Sequence, residues 1–188
     1  MSGSEARECE ARSNLSSLEE RGHIEMNLIV AVDENWAIGR NGDLLAHMKE
    51  DMKFFRATTN GRVVLMGRKT LDSFPGGNPL KNRTNIVLTA NPGFEREGVV
   101  VVHSIDELLA EAKKYPAEDL FVVGGGKVYA ELLPYCTKAY VTHVHKAFAD
   151  ADTWFPNLAE NSAWKQTEVG ETFAQDDFTY TFTTYERV

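Results

Sequence analysis

Cysteine is nearly absent from this chain, with only two thiols, Cys9 and Cys136, in 188 residues. That excludes a disulfide framework, and with no Cys-x-x-Cys or Cys/His cluster the expected metal content is none. Cys136 follows a proline turn without a visible base partner, so it reads as structural rather than nucleophilic. Basic residues are in deficit, 20 Lys and Arg against 28 Asp and Glu, for a net charge of -8. Such a chain lacks the broad basic face that nucleic acid or an anionic membrane requires, although a local basic site for a small anion stays open. No apolar run approaches the length of a membrane span. These absences describe a reduced, cytoplasmic protein. What is present is ordinary for one globular domain: 43% apolar and 26% charged residues, at a length able to bury a core without staples.

Residues 1–25 differ in texture from the rest, being rich in Glu, Arg and Ser and poor in large apolar side chains. They lack the apolar stretch of a signal peptide. We expect a disordered extension or a mis-assigned start, with Met26 as the true beginning and residues 26–188 as the domain. Glu19-Glu20-Arg21-Gly22 is compatible with a purine-rich, ribosome-binding-like coding run just upstream of Met26.

From Met26 strands and helices alternate. Leu28–Val32 reads as a buried strand, Asp33 to Asp43 as a polar loop, and Lys49 to Thr59 as a helix with Met52, Phe54 and Phe55 on its apolar side. Val63–Met66, Asn85–Leu88, Val99–Val102 and Asp119–Val123 read as strands, and Ser104 with Glu107 as a capping box for a helix through Lys114. Ala139–Val144 and Asp177–Glu186 alternate as strands with no helix between them. Trp154 and Phe155 read as core, and Trp36 and His47 as loop surface. Strands separated by helices early and adjacent late predict a mostly parallel sheet with an antiparallel edge.

Two places join a strand to a helix through glycine. Val122-Val123-Gly124-Gly125-Gly126-Lys127-Val128-Tyr129 presents backbone N–H groups at a helix start, where a ligand can approach closely for want of a Cβ. By itself this also describes a tight turn. Val64-Leu65-Met66-Gly67-Arg68-Lys69-Thr70 repeats the pattern with two cations and a hydroxyl. Two such starts suit a ligand with more than one phosphate, such as a phosphorylated dinucleotide. His143 and His145 alternate on a strand without nearby cysteines, which does not favour metal.

With these motifs in order, the chain from Met26 to Val188 resembles bacterial dihydrofolate reductase. The matching residues are Ala31-Val32-Asp33 to Ile38-Gly39, Asp51-Met52-Lys53-Phe54-Phe55-Arg56 with Thr59, and the Val64–Thr70 stretch. Ser73-Phe74, Pro79-Leu80, Arg83-Thr84-Asn85, Val123–Tyr129, Thr142-His143, and Asp152-Thr153 with Phe155-Pro156 complete the set. The resemblance implies a three-layer α/β/α fold and a monomer that reduces 7,8-dihydrofolate with NADPH.

It also implies roles. Asp51, which alone would read as a solvated helix-start charge, would hold the 2-amino and N3 groups of the pterin and promote protonation at N5, with Thr142 supporting it. Met52, Phe55, Phe74 and Leu80 would pack the substrate rings, and Arg83 would grip the carboxylate of the glutamate tail. Ile29, Ala31, Val123 and Tyr129 would complete the pterin and nicotinamide pocket. The cofactor would lie against Ala31, Ile38, Gly39, Gly67, Arg68, Lys69, Thr70, Thr89, Ala90, Gly124, Gly125, Gly126, Lys127, Val128 and Tyr129, with a cis peptide between Gly124 and Gly125. Ala90 stands where the family often has a second hydroxyl. The chain departs most at Leu44-Leu45-Ala46-His47-Met48-Lys49, where the family usually carries Pro-Trp and a further Pro before the helix. Two rival readings follow: a reductase of another pterin or a flavin precursor, against which Arg83 counts, and a folate- or NADPH-binding protein with weak turnover, motivated by Ala46.

Overall fold

A computed structural model describes residues 23–188. Residues 1–22, the bulk of the expected extension, lie outside the described residues; Ile24 packs against the main core. The chain runs β1 (Met26–Val32), β2 (Ala37–Arg40), β3 (Asp43–Leu44), α1 (Lys49–Thr59), β4 (Val63–Gly67), α2 (Arg68–Ser73), β5 (Thr84–Leu88) and β6 (Val99–Val102). It continues with α3 (Ile105–Ala112), β7 (Leu120–Gly124), α4 (Gly126–Leu132), β8 (Cys136–Val144), β9 (Thr153–Trp154), β10 (Trp164–Gln175) and β11 (Phe178–Arg187). Eight strands form one sheet in the order β10-β11-β8-β1-β7-β4-β5-β6. Every pair from β8 to β6 is parallel, whereas β11 pairs with β8 and β10 with β11 in the antiparallel sense.

The central strands are apolar on both faces because helices cover both. On β4, Val63 and Leu65 belong to the main cluster with Leu108 and Leu109 of α3 and Val128 and Leu132 of α4. Val64 and Met66 turn the other way, onto Leu71 of α2. α1 lies over the antiparallel side, where the Phe54 ring sits 4.8 Å from Phe182 and 6.0 Å from Tyr140. This is the expected three-layer arrangement. The Ser104 hydroxyl accepts from Glu107 N at 3.1 Å, as its capping role requires, while the Glu107 carboxylate reaches one residue further back, to His103 N.

Several expectations need correction. The polar loop of Asp33 to Asp43 contains β2 and the start of β3, which with β9 make a small three-stranded sheet. β10 carried no legible signal, because it is an edge strand exposed along most of its length and therefore lacks an apolar alternation. Trp36 is not a surface residue: at a left-handed φ of 61° its ring turns inward, onto His143, Phe155 and Tyr185. Trp154 is 54% exposed at the end of β9, although the next residue, Phe155, is core and bonds through its N–H to the Trp36 carbonyl. Cys136 is buried, its thiol bonded to the Leu132 carbonyl and its pKa pushed up to about 12 by burial.

Candidate active site

The parallel strands end on one side of the sheet, and a cleft of about 760 Å³ opens there. All fifteen residues expected to hold the cofactor line it, from Ala31 on β1 to Tyr129 on α4. The two strand–glycine–helix joints meet in it. A Cβ on Gly124 or Gly125 would stand 3.3 Å from Thr70 Oγ1, one on Gly67 would stand 3.2 Å from Val128, and one on Gly126 would stand 2.7 Å from Thr153. The glycines therefore let the backbone lie close against the side chains of Thr70, Val128 and Thr153 around a space with N–H donors on one wall. Gly124, at φ +134°, precedes a cis peptide to Gly125. Cations stand at the rim: Arg68, held at 2.8 Å by Asp72 one turn along α2, the exposed Lys69, and Lys127. Thr89 and Ala90 follow β5, and Asn91 N bonds Thr89 Oγ1 at 3.2 Å.

His103, Ser104 and Thr153 also line this cleft, although the sequence reading gives none of them a site role. His103 sits at a strand-to-helix junction like the two glycine joints, with its Nδ1 2.9 Å from the Thr89 carbonyl. The position was readable; without glycine it carried no motif.

Deeper in, Asp51 lies in the first turn of α1 beside a second, small cavity of about 20 Å³ lined also by Ala31, Leu45, Ala46, Met48 and Val144. Ala31, Ile38 and Leu44 border both cavities. Ala31 pairs across the ladder with Thr142, whose hydroxyl donates to Asp51 Oδ1 at 2.6 Å. Burial raises the Asp51 pKa above its ordinary value, and the Thr142 hydrogen bond opposes the rise. A carboxylate held next to Met48 and Val144 is costly to ionise unless N–H groups of a ligand pair with it. Tyr129, buried, donates its hydroxyl to the Ile29 carbonyl at 2.6 Å and so fixes the backbone of β1 at the cleft floor. Burial pushes its pKa well up, which keeps the phenol protonated as a donor.

Of the remaining expected substrate residues, Val123 lines the large cleft, whereas Met52, Phe55, Phe74, Leu80 and Arg83 lie outside the lining of both cavities. Phe74, Leu80 and Val123 pack together against the cluster of Val64, Met66, Leu71 and Val87. Phe55 is half-buried on α1. Met52, expected on the apolar side, is 47% exposed, a large apolar side chain left at the surface. Arg83 has a buried Nε with no hydrogen-bond partner, and burial together with the nearby Arg56 charge lowers its pKa. A buried donor left unmatched is costly and invites an acceptor.

Similarity to known proteins follows the same lines. A family model described as dihydrofolate reductase matches residues 25–187. The dihydrofolate reductase of Bacillus subtilis (strain 168) is 37% identical over 164 residues, covering 86% of this chain and 94% of that protein. That of Staphylococcus haemolyticus is 33% identical, covering 88% and 97%. A solved structure of dihydrofolate reductase from Enterococcus faecalis complexed with NADP(H) is 37% identical and superposes with a TM-score of 0.76, over 88% of this chain and 96% of that one. The chain belongs to the dihydrofolate reductase family.

Proposed function

We propose that this chain reduces 7,8-dihydrofolate to 5,6,7,8-tetrahydrofolate through Asp51, in the service of one-carbon metabolism, with residues 26–188 as the catalytic domain. The observation that carries the reading is a carboxyl group raised in pKa by burial, hydrogen-bonded to Thr142, and next to a cleft with two glycine-lined helix starts. NADPH, when bound, supplies the hydride that adds to C6 of the pterin. Gly67 and Gly124 to Gly126 would cradle its phosphates, with Arg68, Lys69 and Lys127 as counter-charges and the hydroxyls of Thr70 and Thr89 as donors to phosphate.

Asp51 pairs with the 2-amino and N3 groups of the pterin. Its negative charge then favours proton uptake from water at N5, and the cation so formed is neutralised when hydride adds at C6. Thr142 holds the carboxylate in line, and its single donated bond leaves lone pairs on both oxygens for the two N–H groups of the ligand. Phe55, Phe74 and Leu80 flank the rings, with Met52 at the mouth, and Arg83 takes the carboxylate of the glutamate tail. The acidic surface fits a small-molecule substrate rather than nucleic acid. Among the described residues no helix is long and apolar enough to cross a membrane. One chain supplies every residue named for both ligands, in keeping with a cytoplasmic monomer.

The direct test is NADPH oxidation with dihydrofolate as the oxidant. Rapid, dihydrofolate-dependent loss of NADPH absorbance supports the assignment; NADPH binding without turnover overturns it. Replacing Arg68 by Gln tests the cofactor site. The NADPH Kd rises about tenfold and the NADH Kd by less, because the extra 2′-phosphate makes NADPH depend more on this cation. Isothermal titration of both dinucleotides reads the difference.

A further inference from the structure

The helix that carries Asp51 does not cap itself. The residue at its N-cap, Met48, has no side-chain acceptor, and the first-turn N–H groups of any helix need partners from elsewhere. Here they come from a hairpin more than a hundred residues away in sequence. Lys49 N donates to Gln175 Oε1 at 2.9 Å, and Glu50 N donates to the Tyr180 hydroxyl at 3.3 Å. The same Gln175 side chain donates from Nε2 to the His47 carbonyl at 2.8 Å. One amide thus spans both sides of Met48, making to the chain the pair of bonds a neighbouring strand would make.

The hairpin is firm enough to act as an anchor. Gln175 ends β10 and pairs with Phe178, which leaves only Asp176 and Asp177 in the turn, and Lys146 binds the Asp177 carboxylate at 2.7 Å. Tyr180, Phe178 and Val144 form a buried cluster with Met48 itself, against which Ala46 packs. Asp51 is consequently fixed from two directions, its carboxylate by Thr142 on β8 and the two residues before it, Lys49 and Glu50, by backbone bonds to the β10–β11 hairpin.

We propose that Gln175 is a positioning residue for the reduction: its amide clamps the N-terminus of α1 and so sets where the Asp51 carboxylate meets the pterin. The inference rests on Asp51 being the carboxylate that binds the pterin. It concerns the substrate half of the site alone, since the cofactor cradle is built on β4, β7 and their helices.

A double-mutant cycle tests it. Gln175→Ala lowers kcat/KM for dihydrofolate about tenfold, the scale of a lost helix cap at a reacting centre, with the NADPH Kd within about twofold of the parent. Lys49→Pro removes the N–H that Gln175 accepts. Proline is well suited to the first helical position, and Met48, at φ -99° and ψ 122°, already has the extended backbone that a residue before proline requires. Lys49→Pro therefore keeps the helix but breaks one of the two clamp bonds, so it lowers kcat/KM by less than Gln175→Ala does, and in its background Gln175→Ala costs less than about threefold. A Gln175→Ala enzyme with unchanged kcat/KM would overturn the inference. So would an equal loss in both backgrounds, or a parallel rise in NADPH Kd, which would mark a general loss of structure. A parent chain with no dihydrofolate turnover overturns the catalytic reading and this inference with it; parental turnover with an indifferent Gln175→Ala overturns this inference alone.

Discussion

Asp51→Asn lowers dihydrofolate turnover at neutral pH by about 100-fold or more, with the NADPH Kd within about twofold of the parent. The amide nearly preserves the shape and can still accept the Thr142 hydroxyl, yet it carries no charge to balance the cation forming at N5. The same variant is more stable without ligands. Burial raises the Asp51 pKa in the fold, so the unfolded chain gives up this proton at a lower pH than the folded one. The resulting penalty on the fold is absent below the ordinary carboxylate pKa of about 3.9 and fully present above the raised folded value. Asparagine cannot ionise, so its gain in Tm appears at neutral pH and disappears as the pH falls through that window. Thermal melts at several pH values check this beside the kinetics. Unchanged turnover would remove Asp51 from the mechanism; a Tm difference independent of pH would remove burial as the cause of its shift.

Arg83→Met is expected to cost about 100-fold in kcat/KM for dihydrofolate, through KM more than kcat. Arg83 is the one described arginine with a buried, unpartnered nitrogen, and the Arg56 charge nearby makes that site more receptive to an anion. A planar guanidinium can bind a carboxylate by two parallel bonds, so Arg83→Lys recovers only part of the loss. The fold itself tolerates the change to Met, since an unmatched buried N–H and a like-charge repulsion are both removed. The sharpest control is the substrate: a dihydropterin without a glutamate tail is reduced by parent and variant at the same rate. If the variant lost both substrates equally, Arg83 would be a structural residue and the tail would bind elsewhere. The result also separates dihydrofolate from pterins that have no tail.

What could be read without coordinates followed local periodicity. The apolar runs of β4, β5 and β7 are near-continuous because helices cover both faces, and with β6 they read as strands from the sequence. The bounds of α1 agreed with Lys49–Thr59. The two glycine joints announced themselves because close approach demands glycine whatever surrounds it, and both line one cleft. The edge strand β10 was illegible because solvent on both sides removes any need for alternation. Trp36 and Trp154 were misread in opposite directions, since which way a side chain in a short loop or edge strand faces depends on partners far away in the chain.

The sequence by itself thus determined the order of elements, the mostly parallel sheet with its antiparallel edge, and the residue types proposed to bind phosphate and carboxylate. Each of these is encoded within a few neighbouring residues, through periodicity, backbone freedom or charge. Only the tertiary structure decided the contacts that prepare the chemistry: Thr142 on Asp51, Tyr129 on the Ile29 carbonyl, and Gln175 on both sides of Met48. Those partners lie about a hundred residues apart, and no local pattern records them. They arise because the parallel ladder sets β8 beside β1 and the closing hairpin lays β11 against β8, which brings β10, β11 and α1 together over Asp51.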